Sequence, residues 1–209
     1  MKRVDSSSIG ILLIDVQPFF LEGWMAGAFE PFMTRIEHLL GLATAYHLPT
    51  IATFEQPVDT KGWLPGRLEP WFPKDARKLT KQTFDCTGEP EIRAAIAGMG
   101  VRQFAVAGGE TDVCVLQSVL GVLEMGYDVF LLEDALFSEE PNTAPALRRM
   151  EHAGAIPSTV KTLHYELRRS VGAPKVPELL DRAGTALPMR DPEDLPNERG
   201  LPLPGADVT

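Results

Sequence analysis

The most informative segment of this chain reads Gly108-Gly109-Glu110-Thr111-Asp112-Val113-Cys114. The apolar run Phe104 to Ala107 precedes it, so Val101 to Ala107 is predicted to be a short buried strand, and the glycine pair predicts a sharp turn. Thr111 is expected to cap the helix that follows, which would put Cys114 in the first helical turn. There the helix macrodipole favours a thiolate, and backbone N–H groups can hold an oxyanion. The segment therefore predicts a nucleophilic cysteine, although a lone cysteine in an apolar stretch is also commonly a small buried side chain.

Length, composition and charge narrow the possible functions. The chain has 209 residues, of which 44% are hydrophobic, enough for one domain with a sizeable core. Its net charge of -9 argues against nucleic acid or an anionic membrane surface as a partner. A small-molecule substrate or a protein partner remains open.

The location of the protein is predicted from its apolar segments and its cysteines. The run Ile9 to Ile14 ends at Asp15 and is too short for a signal peptide, and no stretch approaches the ~20 apolar residues of a membrane span. We therefore expect a soluble, cytoplasmic protein. Cys86 and Cys114 do not make a disulfide framework, and a reducing compartment would keep both as thiols.

Apolar runs alternate with segments of helical spacing through most of the chain, which predicts βαβ units. The expected fold is a three-layer α/β/α, Rossmann-like domain with a parallel sheet of about six strands. The predicted strands are Ile9 to Ile14, Leu48 to Phe54, Lys78 to Lys81, Val101 to Ala107, Tyr127 to Leu132 and Ala155 to Ile156. The predicted helices are Phe29 to Tyr46, Glu89 to Met99, the segment from Cys114 to Gly126, Thr143 to Ala153 and Ser158 to Ser170.

The domain is predicted to cover residues 1–171, and residues 172–209 form a proline-rich tail. This tail contains seven prolines and no aromatic residue, so it is not expected to join the core. Only a short helix near 177–183 is predicted there. Whether the tail wraps a neighbouring subunit or stays mobile is left open.

Three reactive side chains follow predicted strands, where open α/β sheets bind ligands. Asp15 ends the first strand, Lys81 ends the third, and Cys114 lies just beyond the fourth. A carboxylate there can take a thiol proton, and an ammonium can stabilise the developing negative charge. Alternatively, Asp15 caps the turn at Val16-Gln17-Pro18, and Lys81 is a solvated surface charge.

The three blocks together resemble a known family. They are Ile14-Asp15-Val16-Gln17, Lys81-Gln82-Thr83-Phe84-Asp85 and the segment Gly108 to Val115. Their order and spacing are similar to those of the isochorismatase-like cysteine hydrolases, which include nicotinamidases and N-carbamoylsarcosine amidohydrolase. The resemblance covers about residues 8–170.

This resemblance implies a catalytic triad and a covalent mechanism. Asp15 would be the general base, Lys81 would hold the charges in place, and Cys114 would form a thioester-type intermediate. A cis peptide is implied at Gly109-Glu110, with the N–H groups of Glu110 and Cys114 as the oxyanion hole. Homo-oligomers are also usual among these proteins.

Two departures from family patterns predict the type of reaction. Nicotinamidases carry a metal-binding Asp-x-His after the second strand, whereas this chain has Phe54-Glu55-Gln56-Pro57 and only four scattered histidines. We therefore expect neither a metal nor an organic cofactor. Isochorismatases cleave a vinyl ether and generally lack the cysteine, so Cys114 favours a C–N bond as the target.

Aromatic residues near the predicted site are expected to bind the substrate. Phe20 and Trp24 follow Asp15, while Phe54 ends the second strand and Trp63 lies in the long loop after it. An apolar pocket of this kind favours a small aromatic or aliphatic acyl group. The alternative for Trp63 is a place in a subunit interface or a minor core.

The predicted function is hydrolysis of a small amide or related C–N bond through the Cys114 thiolate. Hydrolysis of an isochorismate-type vinyl ether is one alternative. A non-catalytic binding protein, or a thiol-redox protein in which Cys86 pairs with Cys114, is the other. Such a pair requires Cα atoms within ~7 Å, which the sequence does not reveal.

Overall fold

The first strand, β1 (Ile9–Ile14), is the centre of the structure, and all of its residues are buried. A run that is apolar at every position is typical of a parallel strand covered on both faces. The structure, a computed structural model, describes residues 2–171. The predicted tail, its helix near 177–183 and the domain boundary after residue 171 lie at or beyond the end of that range.

Six strands and seven α-helices alternate along the described residues. The strands are Ile9–Ile14 (β1), Thr50–Glu55 (β2), Arg77–Lys81 (β3), Gln103–Gly109 (β4), Asp128–Phe137 (β5) and Ile156–Ser158 (β6). The helices are Pro18–Gly23 (α1), Phe29–Ala45 (α2), Val58–Lys61 (α3), Pro90–Gly98 (α4), Leu116–Glu124 (α5), Ala144–Ala153 (α6) and Val160–Arg168 (α7).

All neighbouring strands in the sheet are parallel, in the order β3-β2-β1-β4-β5-β6. The chain builds outward from β1 to β3 and then returns to place β4 on the other side of β1. Such a reversal of strand order opens a crevice at the carboxyl ends of the strands, where α/β proteins bind ligands. In this protein the crevice lies beyond Ile14, which pairs with Thr53 of β2 and Gly108 of β4.

Side chains of β1 alternate between two cores, because successive residues of a strand point to opposite faces. Ile11 and Leu13 pack with residues of α2 and α7 on one face. Leu12 and Ile14 pack with residues of α4, α5 and α6 on the other. The three-layer α/β/α architecture predicted from the sequence is therefore confirmed.

Several element bounds differ from the prediction. Strand β5 was expected to end at Leu132 but continues to Phe137, because its pairing shifts register and then resumes between Leu136 and Gly108. The charged residues Glu133 and Asp134 interrupt the apolar pattern there. Asp134 accepts a hydrogen bond from the Val160 N–H at the start of α7. The short helices α1 and α3 were not predicted, since each spans too few residues to show helical periodicity.

No helix among the described residues is long and apolar enough to cross a membrane.

Candidate active site

Asp15 directly follows β1 and is almost completely buried at the sheet crevice. Its backbone takes a positive φ of 47°, which turns the chain sharply away from the strand. One carboxylate oxygen accepts a hydrogen bond of 2.9 Å from the Thr53 hydroxyl of β2. The nearby Gln17 N–H binds the Asp15 backbone carbonyl rather than the side chain. The alternative in which the Asp15 carboxylate caps this turn is therefore wrong.

Lys81 ends β3 and reaches across β2 toward Asp15. Its side chain is fully buried, and its Nζ lies 2.6 Å from Oδ2 of Asp15. A buried ammonium without a partner would be very costly, so this ion pair compensates the burial of both charges. The interpretation of Lys81 as a solvated surface charge is wrong.

The segment that carries Cys114 follows β4 through a turn that needs two glycines. Gly108 has a φ of 114°, and a Cβ there would lie 1.9 Å from the Ile14 carbonyl oxygen. A Cβ on Gly109 would lie 2.3 Å from the ring of Phe137. These contacts allow the turn to pack directly against β1 and β5. The Gly109–Glu110 peptide bond is cis.

The backbone around Cys114 forms a π-helical turn instead of the predicted first turn of an α-helix. Thr111–Val115 form one π-helical turn before α5 begins, and the Val115 N–H donates to the Glu110 carbonyl. Thr111 does not cap a helix: its hydroxyl donates to the Phe137 carbonyl. Glu110 takes the capping position instead. π-Turns of this kind frequently occur at functional sites.

The Cys114 thiol lies within the buried charge cluster. Its Sγ is 3.3 Å from Nζ of Lys81. Oxygens of Asp15 and Glu55 and the Cys114 sulfur all lie within 4.8 Å of one another. The structure thus brings together Asp15, Lys81 and Cys114, the three side chains selected from the sequence.

Glu55 is a fourth member of this cluster that the sequence interpretation missed. It ends β2, and its Oε2 lies 3.5 Å from the Cys114 sulfur and 3.7 Å from Nζ of Lys81. Its Oε1 accepts a short hydrogen bond from the Lys61 ammonium of α3. The carboxyl-end rule that selected Asp15 would also have selected Glu55. In the sequence, the segment Phe54-Glu55-Gln56-Pro57 indicated only that a metal-binding Asp-x-His is missing.

The electrostatics of the cluster hold the thiol in its protonated form. Burial, and then the Asp15 carboxylate, raise the pKa of Cys114 above that of an ordinary thiol. Burial also raises the pKa of Asp15, although the Lys81 ammonium opposes this effect. Burial alone would lower the pKa of Lys81, but the Asp15 carboxylate raises it overall and keeps the ammonium charged. The resting thiolate predicted from the helix dipole is therefore not favoured, and the thiol needs a base.

The second cysteine is in a different environment. Cys86 is fully buried in the core formed with α4 and α5, and burial raises its pKa to about 12. Both cysteines are free thiols. Cys86 is therefore poorly suited to exchange reactions in the folded protein.

Alkylation with iodoacetamide should distinguish the two thiols. We expect Cys114 to react before Cys86, because Cys114 lines a cavity whereas Cys86 is fully buried. Because its pKa is raised, its labelling should be slow at pH 7 and increase as the pH rises toward that pKa, with about a tenfold gain in thiolate per pH unit. Asp15→Asn removes the neighbouring negative charge, lowers the thiol pKa and should speed labelling at pH 8. Mass spectrometry of each peptide measures these rates, and faster labelling of Cys86 would contradict the assignment.

A cavity of about 350 Å³ opens above the cluster. Phe20 and Trp24 line it as predicted, and Phe19 and Phe84 contribute two further aromatic rings. Its polar lining comes from four ionisable side chains besides the thiol, which are Asp15, Glu55, Lys61 and Glu110.

Phe54 and Trp63 do not line this cavity. Phe54 is fully buried below it, and its ring packs against Trp63 with centroids 5.2 Å apart. Phe54 points away because it precedes Glu55 on the strand, and neighbouring strand residues face opposite sides. Contact of these two residues with a substrate therefore stays a prediction that the cavity lining does not support, and Trp63 is 45% exposed.

A larger depression of about 590 Å³ lies at the amino ends of the strands, where β2 and β3 begin. It contains no cysteine, and it is distant from the carboxyl-end crevice. We therefore assign the chemistry to the smaller cavity.

The oxygens of Asp15 and Glu55 and the sulfur of Cys114 could in principle ligate a metal ion. The Lys81 ammonium, however, lies between them, 2.6 Å from Asp15, 3.3 Å from Cys114 and 3.7 Å from Glu55. A metal in the same place would meet a positive charge. The donor set therefore suits an ammonium better than a divalent cation.

Comparison with known proteins identifies relatives of this chain. Residues 10–162 match the isochorismatase domain model. The probable hydrolase YcaC of Escherichia coli is 29% identical over 170 residues, which cover 80% of this chain and 81% of that protein. The structure of E. coli YcaC, described as an octameric hydrolase of unknown specificity, has a TM-score of 0.76 at 28% identity and covers 81% of this chain and 84% of that one.

A second YcaC structure, from Pseudomonas aeruginosa, contains hexane-2,5-diol and covalent acrylamide. It has a TM-score of 0.79 at 28% identity and covers 90% of this chain and 93% of that one. The domain match spans the sheet, the crevice and the Cys114 turn, and so this chain belongs to the isochorismatase family of hydrolases.

Proposed function

We propose that this protein hydrolyses a small, uncharged amide or a related C–N bond through a covalent Cys114 intermediate. The observation that carries this proposal is the position of the Cys114 thiol within 4.8 Å of the buried Asp15 carboxylate, with the buried Lys81 ammonium in contact with both groups at the sheet crevice. A nucleophile beside a base, with the base held by a third group, is the arrangement that acyl-transfer enzymes use.

In the first half of the reaction, Asp15 takes the thiol proton as sulfur attacks the acyl carbon. The raised pKa of Asp15 supports this role, since a stronger base is better matched to a thiol of raised pKa. Lys81 stabilises the negative charge on the cluster while the proton moves. The C–N bond then breaks, and the amine leaves with the proton from Asp15.

The oxyanion of the tetrahedral intermediate needs hydrogen-bond donors. We assign them to the N–H groups of Glu110 and Cys114, two residues that line the cavity. One donor of this kind typically contributes ~10²- to 10³-fold in rate.

The charge of the cavity favours an uncharged substrate. Three carboxylates and one ammonium line it, with the Lys81 ammonium buried beneath, so negative charge is in excess. Isochorismate carries two carboxylates and would be repelled. Its vinyl ether also has no need of the thiol.

A redox role is less well supported, because both cysteines are free thiols and Cys86 is fully buried in the core beside α4. As for assembly, the E. coli relative is octameric, and we propose that this chain forms a homo-oligomer as well. Light scattering on the purified protein measures its mass. A cytoplasmic location also stays a prediction.

A substrate panel tests the proposed reaction. The panel contains primary amides, carbamoyl compounds, hydroxamates and isochorismate, each assayed with and without EDTA. We expect release of ammonia or amine from at least one uncharged amide, no cleavage of isochorismate, and the same turnover after chelation because Lys81 supplies the cation. Cleavage of isochorismate by both the wild type and Cys114→Ala would replace this proposal with ether hydrolysis. Loss of turnover with EDTA, restored by one metal, would refute metal independence.

A further inference from the structure

Glu55 lies beside the Cys114 thiol, and hydrogen bonds hold both its backbone and its side chain in place. The buried amide of Gln17 accepts from the Glu55 N–H at 2.7 Å and donates to the Glu55 carbonyl at 3.1 Å. The same amide donates to the Gly62 carbonyl at 2.8 Å, which ties the loop after β2 to the strand end. Lys61 then holds Oε1 of the side chain. Oε2 is left facing the Cys114 sulfur at 3.5 Å.

The two carboxylates of the site differ in their access to water. The Asp15 side chain is only 1% exposed, with its oxygens next to Thr53 and Lys81. The Glu55 side chain is 15% exposed and faces the cavity. A water molecule that enters to attack an acyl group on sulfur therefore meets Glu55 before Asp15.

Glu55 is also in the correct protonation state to act as a base. Burial alone would raise its pKa, but the hydrogen bond from Lys61 and the charge of Lys81 lower it overall. It is therefore a carboxylate at neutral pH.

We propose that Glu55 is the catalytic residue that activates water in the second half of the reaction, the hydrolysis of the thioester. This step rests on the proposed function. Glu55 takes a proton from water while the water oxygen bonds to the acyl carbon. The C–S bond then breaks, and the sulfur takes that proton back from Glu55. The products are the free acid, the Cys114 thiol and the Glu55 carboxylate. Glu55 therefore carries the proton from water to sulfur. Asp15 serves the first half of the reaction and Glu55 the second.

Burst kinetics with p-nitrophenyl acetate test whether Glu55 acts in hydrolysis of the thioester and not in its formation. In Glu55→Gln, acetylation of Cys114 should proceed within a few-fold of the wild-type rate and release about one equivalent of p-nitrophenolate. Steady-state turnover should fall by ~10²- to 10⁴-fold, because deacetylation loses its base. Mass spectrometry should then find the acetyl group on Cys114. Asp59→Asn makes the same charge change on exposed α3 outside the cavity and should retain wild-type turnover.

The remaining outcomes separate this proposal from the proposed function. If Glu55→Gln deacetylates at the wild-type rate, or if acetylation and deacetylation slow equally, Glu55 is not the water-activating base. If neither the wild type nor Glu55→Gln ever carries acetyl on Cys114, the nucleophile itself is wrong, and the proposed function fails with it. If Glu55→Gln does not fold, Glu55→Asp keeps the charge on a shorter side chain. It should still accumulate the acetyl-enzyme, and a wild-type deacetylation rate would overturn the proposal.

Discussion

Cys114→Ala is expected to lower turnover by roughly 10⁴-fold or more, since removal of a nucleophile leaves only substrate binding and oxyanion stabilisation. The substitution deletes one sulfur atom but leaves the Lys81–Asp15 ion pair, which lies 2.6 Å apart, in place. The fold should therefore survive, and the melting temperature should stay close to that of the wild type. Turnover is measured with the best substrate of the panel.

Cys86→Ala is the matched control for this experiment. It also removes a buried thiol, but one in the core beside α4 rather than in the cavity. We expect a loss of stability of about 1 kcal/mol or slightly more from the small void, with turnover per folded molecule retained. Near-wild-type turnover in Cys114→Ala would remove the thiol from the mechanism, whatever the control shows.

Asp15→Asn is expected to lower turnover by ~10²- to 10⁴-fold, because the amide cannot accept the thiol proton. It should also reduce the free energy of unfolding by up to about 3–5 kcal/mol, since the buried Lys81 ammonium loses its closest partner. Glu55, 3.7 Å from the same ammonium, offsets part of that loss. Asparagine tolerates the positive φ at this position, so the backbone itself does not add to the cost.

Thr53→Val is the control that separates a loss of stability around Asp15 from the loss of its carboxylate as a base. It removes the 2.9 Å hydrogen bond to Asp15 but keeps the carboxylate. We expect a loss of about 1 kcal/mol in stability and only a minor change in turnover. Melting temperature and turnover should be measured on the same preparations. If Asp15→Asn loses activity only in proportion to its unfolded fraction, Asp15 is not the general base.

The sequence predicted the scaffold well because the signals involved are local. The apolar run Ile9 to Ile14 became strand β1 with the same bounds. The glycine pair became the end of β4, directly before the turn that carries Cys114. Where charged residues broke the pattern, as at Glu133 and Asp134 in β5, the strand end was missed by five residues. The wide turn at Thr111–Val115 was also missed; in it the Thr111 hydroxyl donates to the Phe137 carbonyl of β5, a contact between residues far apart in the sequence.

The sequence by itself determined the α/β class and the position of Asp15, Lys81 and Cys114 at strand ends, because parallel strands bring their carboxyl ends to one edge of the sheet. Only the tertiary structure decided which strand ends meet and which way each side chain points. It placed Glu55 against the thiol and turned Phe54 away, since strand order and the alternation of side chains set those contacts. It also decided the charge state of the thiol, because burial and neighbouring charges, unlike sequence spacing, are properties of the folded chain.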